Sequence, residues 1–409
     1  MDLELAKIKN VKTGMRNGGW GYDTHKYLEL LDAGKTMEIA DIKGPAVIKS
    51  IMTTKHDVFT TDEERKKSAP RGIVLLIYYN GSSEPSVEVP LADFFCDGCN
   101  GKSDYYTNIF IENTHESYMC YFPIPFEKSC RVCLRNDTKF DLGNYSFVQF
   151  EELSDWDKTL GYFHSTYKRI GFQSTPDTIL PVFHIEDCSG NFIGQQLSIS
   201  TDEKAFEGFS WLMEANNEIR IDTNKPLGNG PYNKGQGPSY DYLGTECAFG
   251  FAWGWGKNTG LRIGCPYINT ISIKELMTPI LNGKYKKGSK QVGFLELSDK
   301  ERTEIIINFN GLDIKDALSQ ISIYRFYYPD MIRFNKSFDW RLNWTFEGQD
   351  PGSFYRNKLS SLAKAGKLYA DYAYVNYWYQ NKVGYNHEKL PKVEERALEV
   401  MKSNITDHK

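Results

Sequence analysis

The chain has 409 residues, more than one hydrophobic core usually serves, so two domains are expected. Its 49 basic and 53 acidic residues leave a formal charge of -4, without the basic stripe that nucleic acid demands. No apolar run approaches the roughly 20 residues that span a bilayer. The opening MDLELAKIKN also lacks the basic-then-apolar pattern of a secretory signal. A cytoplasmic protein with neither nucleic acid nor membrane as partner is expected.

Strand signals dominate the first half. AVIKSIMTT, GIVLLIYYN, SVEVPL, SYMCYFPIPF, CRVCLRN and YSFVQFEEL are short, aromatic or β-branched, and bounded by Gly, Pro, Asn and Asp. Only LADFF reads as helix there. The rhythm changes over residues 151–169, EELSDWDKTLGYFHSTYKR, which places a domain boundary at 158/159. The second half repeats the strand habit in ILPVFHIED, FIGQQLSIS, EIRID, AFGFAWGWG, EIIINFN, ISIYRFYY and FDWRLNWTF. Helix is expected only at residues 359–365 and in the polar tail at 392–403. Many short strands without βα alternation predict an all-β chain of packed sandwiches. The expected division is 1–158, 159–390 with the site, and a tail at 391–409.

Eight cysteines include two CxxC pairs, Cys96/Cys99 and Cys130/Cys133. Two such pairs would serve a tetrahedral zinc. The second pair, however, lies in an expected strand, where residues three apart point to opposite faces. Reduced, unpaired thiols and no metal are therefore expected.

No HExxH, GxSxG or phosphate-loop pattern is present, and no cofactor is expected. What remains is carboxylate chemistry. Glu246, in YDYLGTECAFGFAWGWG at residues 240–256, stands between a Gly-Thr turn and a run of aromatics and glycines. It reads either as a half-buried catalytic acid or as a strand residue whose carboxylate reaches water. Glu214, in FSWLMEANNEIRID, sits where a strand enters a turn and is the natural second carboxylate. His164, among aromatics at the expected boundary, reads as either structural or functional. The Gly/Pro-rich segment at 228–242 is long enough to be a functional loop. Trp20, Trp253 and Trp255 would either line a site or pack in a core.

Eight stretches, taken in order, resemble glycoside hydrolase family 172. They are GPAVIKSIMTT, EPSVEVPLADFFCDG, YFPIPFEKSCRVCLRN, YFHSTYKR, EANNEIRID, GTECAFGFAWGW, ISIYRFYYPDMIRFNKSF and DYAYVNYWYQ. The resemblance runs from RNGGWGYD to YWYQ. It implies two tandem jelly-roll domains like those of capsid proteins, assembled as a homotrimer or hexamer. It also implies retaining hydrolysis of α-D-fructofuranosyl or α-D-arabinofuranosyl linkages, or of difructose dianhydride. The family's two catalytic glutamates fall on Glu214 and Glu246. Glu246 is assigned as nucleophile and Glu214 as acid/base, with Trp20, Asp23, His164, Trp253 and Arg325 as substrate-binding residues. Departures from the family pattern are Cys247 for Asp, EAN for EGD, Met52 for Trp and Tyr327 for His. A non-catalytic carbohydrate-binding or assembly protein on the same fold is the alternative.

Overall fold

A computed structural model describes residues 6–18, 29–56, 60–174, 178–201, 212–223, 238–252, 255–269, 286–287, 289–292, 296–298, 300–301, 319–344 and 369–401. The chain is all-β, as predicted. An 11-stranded sheet forms the middle layer. Its strands come from both halves of the chain and meet where Tyr162–Gln173 runs parallel to Val87–Pro90, at Ser165 and Thr166. A seven-stranded sheet built around Ala46–Thr54 and Ser146–Glu152 packs on one face of this layer. A four-stranded sheet, in which Ser337–Asn343 lies between Ile179–Glu186 and Asn216–Ile221, packs on the other.

The strand Tyr369–Gln380 shows how one segment serves both cores. It is hydrogen-bonded along its length to Tyr162–Gln173 on one side and to Gly190–Thr201 on the other. Successive side chains of a strand point to opposite faces. Ala373, Val375 and Tyr377 therefore enter the first core, while Tyr372, Tyr374 and Trp378 enter the second. A buried side chain of this size contributes roughly 1.5–3 kcal/mol by leaving water. These aromatics fill the interior of the molecule. They do not form an exposed apolar surface.

The paired cysteines follow the same rule. Cys130 and Cys133 lie on Ser129–Asn136. Cys130 is in the first core, and Cys133 packs on the opposite face with Val74 and Leu76. All eight thiols are free.

Three expectations change. Glu63–Gly72 is a helix that strand-oriented reading passes over. Its polar EERKKSAPRG pattern is capped by Asp62, whose side chain accepts from Arg65 N at 2.9 Å. The tail forms one turn, Val393–Arg396, and not a helix to 403. Within the stretch AFGFAWGWG, the described residues 248–252 and 255–256 are not strand. Thr245–Ala248 is a helical turn that Gly250 ends in the left-handed region at φ 79°. Residues 304–310 and 359–365, predicted strand and helix, lie outside the described residues.

Candidate carboxylate site

Glu214 directly precedes Ala215 and the strand Asn216–Ile221, and Glu246 is the second residue of the turn Thr245–Ala248. These two short segments are fastened together. Tyr240–Tyr242 pairs antiparallel with Asn217–Ile219, which delivers the chain to Gly244 beside Ala215. Asn217 Nδ2 then donates to Ala215 O at 3.0 Å and to Thr245 Oγ1 at 3.1 Å. The Thr245 hydroxyl in turn donates to Ala215 O at 3.4 Å. Asn217, Thr245 and Ala215 are fully buried, whereas both glutamates are half-buried. The two carboxylates thus project from the residues flanking a closed, dry ring of hydrogen bonds.

Electrostatics agrees with this placement. Cys247 is exposed, and its thiol is pushed up first by burial, then by the charges of Glu246 and Glu214. One thiol therefore feels both carboxylates. Gly244 makes room for the first of them: a Cβ there would stand 2.7 Å from Glu246 Oε2. Glu246 is accordingly a half-buried acid on a helical turn, which removes the strand alternative.

Arg325 supports the far side of the same turn. Its Nη1 donates to Ala248 O at 2.7 Å, while the guanidinium lies 4.3 Å from the Tyr327 ring centre and 5.4 Å from that of Tyr242. Asp330 approaches it at 3.9 Å. Such stacking on two rings fixes the cation without enclosing it. Cys247 and Tyr327, two of the departures from the family pattern, both belong to this cluster. Met52 does not: it sits in the seven-stranded sheet opposite Met119 and Phe147.

The remaining sequence candidates divide. Trp20, Asp23, Trp253 and residues 228–237 lie outside the described residues. Trp255 is buried in the second core against Phe251. His164 is wholly buried and stacks on Trp378. Its Nδ1 donates to Tyr162 O at 2.9 Å, and its Nε2 meets Gln380 Nε2 at 3.2 Å. None of these partners belongs to the carboxylate cluster, and a ring with no exposed edge has no access to a sugar. The expectation that His164 binds substrate is therefore replaced by a structural role. Asn217, Thr245 and Tyr242 were not singled out in the sequence. The one available signal was Thr245 itself, the hydroxyl residue directly before Glu246.

A separate cleft of about 360 Å³ is lined by Lys55, His56, Leu91, Asp97, His115 and Tyr118, among others. Its charges satisfy one another. Lys55 Nζ lies 3.2 Å from Asp97 Oδ2, which also accepts from Tyr118 OH at 2.7 Å, while Ser103 N donates to Oδ1 at 2.8 Å. The cleft shares no lining residue with the carboxylate site.

Comparison with known proteins finds one family model that resembles part of the first half of the chain. Residues 22–146 match the family model described as GH172 domain-like. This GH172-like segment agrees with the resemblance read from the sequence and ends before either glutamate. Among curated proteins no match is found. The fold is similar to that of the major capsid protein P2 from Bacteriophage PM2, with 8% identity, 81% of this chain and 97% of that one covered, and a TM-score of 0.31. It is also similar to a chain of Sulfolobus Turreted Icosahedral Virus, with 9% identity, 88% and 99% covered, and a TM-score of 0.31. Among the described residues no helix is long and apolar enough to cross a membrane.

Proposed function

We propose that the chain is a retaining glycoside hydrolase acting on α-D-fructofuranosyl or α-D-arabinofuranosyl linkages, difructose dianhydride included. The observation that carries this reading is the fastening of Glu214 to Glu246 through Ala215 and Thr245. The GH172-like segment supports the carbohydrate class. Two carboxyls about 5 Å apart permit a double displacement. Glu246 would attack the anomeric carbon while Glu214 protonates the leaving oxygen. Glu214 would then take a proton from water as that water displaces Glu246.

Hydrolysis of aryl α-D-arabinofuranosides and α-D-fructofuranosides, with product configuration followed by NMR, tests the reading. Glu246→Gln or Glu214→Gln should each lower kcat by roughly 100- to 10,000-fold. Wild-type rates in both variants would remove the pair from the chemistry. The alternative is a sugar-binding or assembly protein without hydrolysis. It is favoured by Cys247, whose raised thiol stays neutral where the resembled family carries Asp. Sugar binding without turnover across the same panel would establish that alternative.

The assembly we propose is a homotrimer or hexamer. Leu243, Leu261 and Tyr328 support it, being large apolar side chains exposed on the segments around the carboxylate site.

A further inference from the structure

We propose that Asn217 and Thr245 are positioning residues that set the separation of Glu214 and Glu246. This rests on the paired-carboxylate reading and adds to it the device that holds the pair. Neither glutamate sits on a long regular element. Glu214 precedes its strand, and Glu246 rides on a turn of four residues, Thr245–Ala248. A segment that short has little rigidity of its own. The distance between the carboxylates is therefore fixed by whatever joins residue 215 to residue 245.

The ring of hydrogen bonds makes that joint. Ala215 O is a main-chain acceptor that only donors can satisfy, which sets the amide of Asn217 with its Nδ2 toward Ala215 and Thr245. The Thr245 hydroxyl accepts from that amide and spends its own proton on Ala215 O. Each group is used in the one sense its chemistry allows, and all three residues are out of water. Arg325 closes the opposite end of the turn through Ala248 O. The turn carrying Glu246 is thus held at both ends, and its Thr245 end is the one tied to Glu214's segment by the ring. Serine at 245 would preserve the ring. Valine, with the same shape, would remove both its donor and its acceptor.

The exposed thiol of Cys247 reads the separation directly, because Glu214 and Glu246 both act on it and the other seven cysteines are buried. The experiment measures iodoacetamide alkylation of Cys247 against pH in the full chain, crossed with Glu214→Gln. With Thr245 or Thr245→Ser present, Glu214→Gln should raise the alkylation rate at pH 8 by about threefold, as the thiol pKa falls. With Thr245→Val the same substitution should change the rate by less than about 1.5-fold, since Glu214 would no longer be held near the thiol. Equal responses to Glu214→Gln in the Thr245 and Thr245→Val backgrounds would overturn the proposal. Asn217→Ser, too short to bridge both acceptors, gives an independent reading should Thr245→Val not fold, with the same expectation as Thr245→Val.

Catalysis supplies a second readout. Thr245→Val should lower kcat on a furanoside roughly 10- to 100-fold with KM little changed. It should also move the alkaline limb of the pH profile downward, as the two carboxylates part. An unchanged profile and kcat would count against the clamp. The two ideas fail separately: a chain that hydrolyses no furanoside loses the catalytic reading, while the thiol titration still decides the clamp.

Discussion

His164 is held at both ring nitrogens, with Nε2 also 3.3 Å from Gly384 O. Its Nδ1 carries the proton donated to Tyr162 O, and its Nε2 faces the donor amide of Gln380. His56 bonds Asn144, and His387 receives the hydroxyl of Thr166 while its other nitrogen bonds Pro85 O. Burial lowers all three from 6.5 to about 4, against smaller opposing contributions from their hydrogen-bond partners and, for His387, from Glu88. The unfolded chain binds these protons near pH 6.5 and the folded chain only near pH 4. The stability they contribute is complete above pH 6.5 and is lost as pH falls through about 4. Each group contributes up to about 3 kcal/mol by this linkage. Calorimetry from pH 7.5 down to 4 should show a falling Tm, and a slope unchanged by His164→Gln would refute its part. Sequence inspection could single out His164 but not its role, because aromatics crowd a buried histidine and a sugar-binding one alike. Glu214 and Glu246 were legible as acids in unusual company. Asn217 was not, since its importance lies in reaching a turn 28 positions away.

At the level of elements, the tail is bound by buried charge. Arg169 pairs with Asp371 and gives its remaining protons to the carbonyls of Glu395, Arg396 and Leu398, and Arg71 pairs with Asp93 and reaches Arg396 O. Met401 N returns the contact by donating to Asp371 at 2.6 Å. Both arginine side chains are almost wholly out of water. A chain ending at residue 391 would leave two buried cations short of acceptors, and breaking such a network costs about 3–5 kcal/mol. Urea unfolding of that truncated chain should show its midpoint shifted down accordingly; an unchanged midpoint would mean the tail is dispensable. The sequence suggested a helix here because KVEERALEVMKS has helical composition. The arginine demand for main-chain oxygens ends the helix after one turn, and no local pattern announces a partner some 230 residues away. The misread aromatic stretch after Glu246 has a different cause. Its Phe and Trp residues suit a strand by propensity, but Phe249 N and Phe251 N bond back to Glu246 O, and Gly250 takes the left-handed conformation between them.

Across the whole molecule, the first core is completed by strands from the second half, including Phe163, Tyr167, Val375 and Tyr377. We propose that the halves divided at 158/159 depend on one another for folding. Residues 1–158 expressed alone would expose Val87–Pro90, which pairs with Tyr162–Gln173 in the intact chain, together with the apolar face beneath it. The fragment should aggregate or lack dispersed NMR signals, and should recover when co-expressed with 159–409. Sharp, dispersed spectra of the lone fragment would show two independent units. For the intact chain, light scattering should report three or six copies of 47.0 kDa, and a monomer that hydrolyses furanosides would remove assembly from the account. The all-β class was legible because short aromatic and β-branched runs bounded by turn residues are written locally along the chain. The sharing of one sheet between two cores was not, because that is decided by which strands find each other.

The strand Tyr369–Gln380 carries a consequence for how this sequence can change. Its odd and even positions feed different interiors, so losing or gaining one residue within 372–378 would invert every side chain on one side of the change, driving aromatics of the second interior into space shaped for Ala373, Val375 and Tyr377, and the reverse. Most strands lose one buried face through such a slip. This one would overfill one interior and empty the other, with no solvent side to absorb the error. Substitutions here are open to repair by neighbours, but a change of length is not, and the segment acts as a ruler against which both halves of the chain are cut.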